Sequence, residues 1–149
     1  MSPTATVGPR VGDVAPALAG VSLRGHAVAM STWHGSVVVV VFWASWCIPC
    51  RREQPSLNTL ARQETALGVH FLGVSVDADS SAANGYVAQF AVPYDSLLDE
   101  SQKIVSQYEV VGPPTTFVVG RNGRVADQLI GEVNIDELRS DIHIAQSAT

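Results

Sequence analysis

Cysteine is scarce in this sequence: two residues in 149, Cys47 and Cys50, three positions apart. Two are too few for a disulfide-stapled framework. A chain of this length needs none, since it buries roughly 68–70% of the surface its unfolded form exposes. Lysine is scarcer still. Of nine basic residues only Lys103 is a lysine, and the net charge is −5 with no basic block, which argues against nucleic acid or an anionic membrane surface as partner. Long apolar runs are missing too, because the longest, 37–44, falls far short of the roughly 18 residues of a membrane-spanning helix. Residues 1–10 have neither the charged start nor the apolar centre of a signal peptide. Repeats and low-complexity tracts are also absent. The expected organisation is a flexible N-terminal arm, 1–10, and one domain over 11–149.

What is present begins with Val37-Val38-Val39-Val40-Val41-Phe42-Trp43, an unbroken β-branched and aromatic run. Strands that read this way are buried on both faces, as central parallel strands are. The run breaks at Ala44-Ser45-Trp46 and hands Cys47-Ile48-Pro49-Cys50 to a segment whose apolar positions Leu57, Leu60, Ala61 and Leu67 recur at helical spacing. Pro55 falls inside that helix and removes one backbone hydrogen bond. Beyond it the sequence predicts a strand over 69–76, a helix over 81–90, a short strand over 94–98 and a helix over 99–108. Strands over 116–119 and 125–130 flank the hairpin signal Asn122-Gly123, and a helix over 135–145 closes the chain. With a weak hairpin around Arg24-Gly25, the order β-α-β-α-β-α-β-β-α predicts an α/β fold, a central mixed sheet flanked by helices.

A strand that delivers two cysteines to a helix N-terminus is suited to thiol–disulfide exchange. Unpaired N–H groups and the positive end of the dipole stabilise a thiolate there. A free thiol titrates near ~8.5, and in such motifs it falls to about 7 or lower. Cys47 is the candidate nucleophile, and Cys50, less than one turn further on, the candidate resolving thiol. Glu53 lies three residues past Cys50 on the same helix face. It is a candidate acid–base group for Cys50; a solvated helix glutamate is the alternative. Trp46 is read as half-exposed beside Cys47, while Phe42 and Trp43 are assigned to the core. Asp77 and Asp79 precede a helix and read as its caps. Arg51 and Arg52 are placed on a solvated face. His26, His34, His70 and His143 are scattered and read as surface or hydrogen-bonded residues. No metal is expected, because zinc needs two further ligands and the chain has no second cysteine pair.

These residues resemble the thioredoxin superfamily and, within it, the TlpA/ResA-like thiol–disulfide oxidoreductases of bacteria. The match is carried by Phe42-Trp43-Ala44-Ser45-Trp46-Cys47-Ile48-Pro49-Cys50-Arg51-Arg52-Glu53-Gln54-Pro55 and by Gly73-Val74-Ser75-Val76-Asp77. Val92-Pro93-Tyr94, Leu97-Leu98-Asp99, Val111-Gly112-Pro113-Pro114-Thr115-Thr116-Phe117 and the opening Val11-Gly12-Asp13-Val14-Ala15-Pro16 extend it over about residues 11–142. The resemblance implies a thioredoxin-like fold with an N-terminal β-hairpin and an αβ insertion within 80–98. It implies that Pro114 is a cis-proline facing the cysteines, and that Glu53 matches an active-site acid. Val41 stands where thioredoxins proper carry a buried aspartate. It implies too that the residue before the cis-proline lends N–H and C=O to an extended substrate. Here that residue is Pro113, which has no N–H, so one of those bonds is missing. Trp46, Ile48, Pro49, Pro113 and Pro114 are therefore the expected substrate-binding residues.

The expected activity is thiol–disulfide exchange with protein substrates, as a reductase, and the branch's role in cytochrome c maturation gives a candidate setting. The redox-active pair Cys47–Cys50 is expected to serve without another cofactor. Partners would be protein disulfide or dithiol substrates and an upstream electron donor, and the chain is expected to be a monomer. The resemblance implies the extracytoplasmic face of the bacterial cell envelope, with the export segment absent from this chain; the cytoplasm is the alternative. Two other functions stay open. One is peroxide reduction of the peroxiredoxin type, although Ala44 and Val40 stand where that pattern sets Thr and Pro. The other is a non-enzymatic, redox-responsive binding module.

Overall fold

Alternation along the valine run decides the architecture. Neighbouring side chains on a strand face opposite sides, so Val39, Val41 and Trp43 enter one core layer while Val38, Val40 and Phe42 enter the other. All six are buried, and each large apolar side chain so placed is worth about 1.5–3 kcal/mol. They form strand β3 (Val38–Trp43) of the computed structural model, which describes residues 5–148. Before it come the antiparallel strands β1 (Ala19–Val21) and β2 (Ala27–Ala29). After it follow α1 (Ile48–Thr65), β4 (His70–Ser75), α2 (Ser80–Phe90), β5 (Ser96–Leu98) and α3 (Lys103–Gln107), then β6 (Thr115–Val119), β7 (Val125–Ile130) and α4 (Ile135–Ser147).

The main sheet has the order β5-β4-β3-β6-β7. Strand β3 runs parallel to β4 and antiparallel to β6; β4 and β5 are parallel, β6 and β7 antiparallel. Leu57, Leu60 and Ala61 of α1, Ala83 and Tyr86 of α2, and Leu138, Ile142 and Ala145 of α4 cover one face. Ala15, Leu18, Val28 and Tyr108, from the N-terminal segment, the hairpin and the end of α3, cover the other. This is the expected mixed sheet between helices, with the expected hairpin and αβ insertion.

Register places the chemistry. Trp43 pairs with Ser75, Phe42 with Thr115, and Thr115 with Ile130. The exits of β3, β4 and β7 and the entrance of β6 therefore share one end of the sheet, and so do the segments that continue from them. Gly73 allows a tight crossing inside β4. A Cβ there would meet Ser96 Oγ and lie 2.8 Å from Trp43 Nε1, the two atoms that join at 3.1 Å across it.

One expectation needs correcting. The helix expected over 99–108 is only Lys103–Gln107, because Asp99 turns its carboxylate back to accept from the N–H groups of Ile104 and Val105. Of the arm expected over 1–10, residues 1–4 lie outside the described residues. From residue 5 the chain is held to the domain: Val7 bridges Val14, Gly8 N–H donates to the Val14 carbonyl at 3.0 Å, and Gly8 and Pro9 are buried. Among the described residues no helix is long and apolar enough to cross a membrane.

Candidate active site

Cys47 is the N-cap of α1. Its extended backbone ends the loop from β3, and its Sγ accepts from the Cys50 N–H at 3.3 Å. Pro49 occupies the first turn, where its missing N–H costs nothing because the turn has no partner for it. Cys47 and Cys50 are joined as a disulfide, with 5.3 Å between their Cα atoms. Cys50 is 1% exposed and Cys47 only 4%, so the candidate nucleophile of the sequence reading is more covered than a reactive thiol leads one to expect. Exposure belongs to the rim instead, where Trp46 is 64% and Ile48 60% exposed.

The loop that presents Cys47 is tied down from below. Asp77, at the exit of β4 and 2% exposed, accepts from the Ser45 N–H at 3.1 and 3.0 Å and from Ser45 Oγ at 2.6 Å. Ser75 Oγ donates to the same carboxylate at 2.7 Å. Arg51 donates to the Ser45 carbonyl at 3.2 Å and to Gln89, and its guanidinium lies over the Phe90 ring. Tyr86 Oη stands 3.1 Å from the Cys50 carbonyl oxygen and 2.9 Å from Gln54 Oε1, while its ring stacks on Trp43 at 4.4 Å. Burial pushes the Tyr86 phenol well up, which keeps it a neutral donor.

Glu53 is buried, 4% exposed, which removes the reading of a solvated helix glutamate. Burial pushes its carboxyl up to about 7, with the charge of Glu132 adding to the rise and the Val133 N–H opposing it. That N–H donates to Glu53 Oε1 at 2.9 Å. Glu132 itself pairs with Arg52 at 2.7 Å. One residue earlier, the Gly131 N–H donates to the Pro114 carbonyl at 2.9 Å, so residues 131–133 connect the acid to the proline turn. The Pro113–Pro114 bond is cis. Pro114 is buried, Pro113 half-buried, and Val111 just before them is fully exposed.

The sequence reading named Trp46, Cys47, Ile48, Pro49, Cys50, Glu53, Pro113 and Pro114, and the register brings them to one end of the sheet. It missed Asp77 as a support of the loop. Asp79 does cap α2, accepting from the Ala82 N–H, but Asp77 points the other way. It also missed Arg51, expected on a solvated face, and the buried group of Tyr86, Gln54, Asn58 and Tyr94 under the start of α1. Elsewhere, Asp127, Glu137 and Asp141 bring one carboxylate oxygen each within 4.8 Å of the others, and burial with the neighbouring acids pushes Asp141 up to about 7. His143 bonds Glu64, His70 stacks on Trp33 and His26 meets Asp95.

The chain matches the AhpC/TSA family over residues 11–128. It is 30% identical over 129 residues to the thiol–disulfide oxidoreductase ResA of Bacillus anthracis, covering 87% of this chain and 75% of that protein. The thiol:disulfide interchange protein HelX of Rhodobacter capsulatus is 35% identical over 109 residues, 72% of this chain and 60% of its own. Among solved structures, a Chlorobium tepidum protein provisionally assigned as thiol:disulfide interchange protein DsbE superposes with a TM-score of 0.85. It is 34% identical, and the match covers 93% of this chain and 99% of that one.

Proposed function

The chain belongs to the AhpC/TSA family, in the thioredoxin superfamily, and is a thiol–disulfide oxidoreductase; from that premise we propose that it reduces protein disulfides, with Cys47 attacking and Cys50 resolving. In the reduced protein the Cys47 thiolate attacks one sulfur of a substrate disulfide. A bond forms between Cys47 Sγ and that sulfur, and the other substrate sulfur leaves as a thiolate and takes a proton. Cys50 then gives its proton to Glu53 and attacks Cys47 Sγ, which releases the second substrate sulfur as a thiolate that takes the proton from Glu53. The substrate gains two electrons and two protons, and the protein is left with its Cys47–Cys50 disulfide. An upstream dithiol donor restores the thiols by the reverse exchange, with no cofactor besides the pair itself.

The observation that carries this reading is the position of Cys47 Sγ, capping α1 with the Cys50 N–H directed at it. The direction rests on charge. A strongly stabilised thiolate favours the reduced pair and makes an oxidant, whereas carboxyl groups at Glu53 and Glu132 beside α1 work against the thiolate. A ResA-like reductase at the outer face of a bacterial membrane, acting on the haem-ligating cysteines of an apocytochrome c, is the setting that the resemblance favours. Cys50→Ser tests it by holding the substrate as a mixed disulfide on Cys47. Capture of an apocytochrome or its haem-handling partners supports that setting, and capture of neither removes it. A Cys47–Cys50 potential of about −120 mV, that of a strong oxidant, would overturn the reductase reading itself.

A further inference from the structure

The best-bonded carboxylate at this end of the sheet belongs to none of the groups that exchange sulfur or protons. Asp77 takes both hydrogens that Ser45 can offer, from N–H and from Oγ, and is steadied by Ser75. The Ser45 carbonyl is held from the far side by Arg51. The neighbouring loop atoms are held as well: the Trp43 carbonyl accepts from the Val76 N–H at 2.9 Å, and the Ala44 carbonyl from the Cys47 N–H at 3.2 Å. Ser45 is thus fixed at each polar atom, two residues before the helix cap.

We propose that Asp77 is a positioning residue for the exchange reaction: through Ser45 it holds Cys47 at the cap of α1 when the disulfide opens. In the oxidised protein the covalent bond to Cys50 keeps Cys47 in place. In the reduced protein that tether is gone, and the loop's hydrogen bonds, with the Arg51 N–H on the Cys47 carbonyl at 3.1 Å, are what keep Sγ against the Cys50 N–H. A thiolate that drifts from the first turn loses the partial charge that stabilises it, because the helix field falls off within a turn. The proposal rests on Cys47 as the attacking thiol.

Asp77 also brings a negative charge, which acts against the thiolate, so the test compares two variants that both lack the charge. Asp77→Asn keeps an oxygen for Ser45 and an amide that can donate to Ser75; Asp77→Ala keeps neither. The measurement is the rate of Cys47 alkylation in the reduced protein as a function of pH, with folding of each variant checked by thermal melt. The expected result is an apparent Cys47 pKa about one pH unit higher in Asp77→Ala than in Asp77→Asn, and alkylation about tenfold slower at pH values below both. Superimposed profiles overturn the proposal. If Asp77→Ala does not fold, Ser45→Ala removes the shortest bond and leaves the charge; alkylation about threefold slower than wild type is expected, and an unchanged profile overturns the proposal equally. A wild-type Cys47 that titrates like a free thiol would remove both this inference and the assignment of the nucleophile, whereas a lowered wild-type pKa with indifferent variants removes the Asp77 inference alone.

Discussion

Glu53 is a carboxyl under two opposed demands. Burial and Glu132 favour its neutral form, and the Val133 N–H favours the charged one; the outcome, a group titrating at about 7, suits a proton acceptor working near neutral pH. Glu53→Gln is therefore expected to slow the resolving step by on the order of 10²-fold and to erase the inflection near pH 7, as stopped-flow measurement of mixed-disulfide decay would show. Equal decay rates at all pH values would leave Glu53 without a catalytic role. The same substitution changes stability, with a definite sign. The folded state binds this proton more tightly than the unfolded state, so the stabilisation is complete below the ordinary carboxyl value of 4.5 and lost as pH rises through about 7. Glu53→Gln should flatten that part of the stability curve in urea titrations. Spacing alone reveals that Glu53 shares a face with Cys50. It cannot reveal that the side chain is buried or that it accepts from the Val133 N–H, eighty residues on, and the same limit hid Asp77, whose partner Ser45 is thirty-two residues away. Short polar residues near a helix start usually cap it; only the pairing of β3 with β4 aims Asp77 elsewhere.

Helix α1 carries the cysteines on its first turn and is anchored at its other end. Glu64, 2% exposed, bonds His143 of α4 at 2.6 Å through Oε1, while Oε2 has no partner. His143→Ala leaves a buried carboxyl without a hydrogen bond, and a loss of about 1–3 kcal/mol follows, to be read from the urea midpoint. A change below a few tenths of that would mean the pair is ornamental. Elements of this kind were legible where one physical signal dominated. The two-faced burial of β3 and the Asn122-Gly123 turn are written in the residues themselves. The limits of α3 were not, because Asp99 is as apt to start a helix as to hold the loop before one, and here it does the latter, accepting from N–H groups five and six residues on. The order of the strands, with β4 and β6 on either side of β3, follows from crossover connections that no local pattern displays.

Taken as a whole, the molecule sets its disulfide and three of its exposed large apolar side chains, Trp46, Ile48 and Val111, where strands of one sheet end, the place open α/β sheets commonly reserve for ligands. Cys47 there is almost covered, and Trp46, Ile48 and Val111 stand out around it. A small disulfide and a protein disulfide should then meet different surfaces. The small one needs only to reach the sulfur, while the protein one buries the rim, where an exposed Trp gives large contact area at little entropic cost. Trp46→Ala should accordingly raise KM for a protein disulfide by about tenfold with kcat nearly unchanged, and should affect a small aromatic disulfide far less. Val111→Ser should act in the same direction and more weakly, since the side chain is smaller. The split matters more than either number. A fall in kcat for both substrates would place Trp46 among the groups that position the sulfur, and equal losses in KM would mean the rim does not distinguish a protein from a reagent. The expected pattern requires that recognition lie on the exposed ring of side chains and reaction in the covered sulfur at its centre.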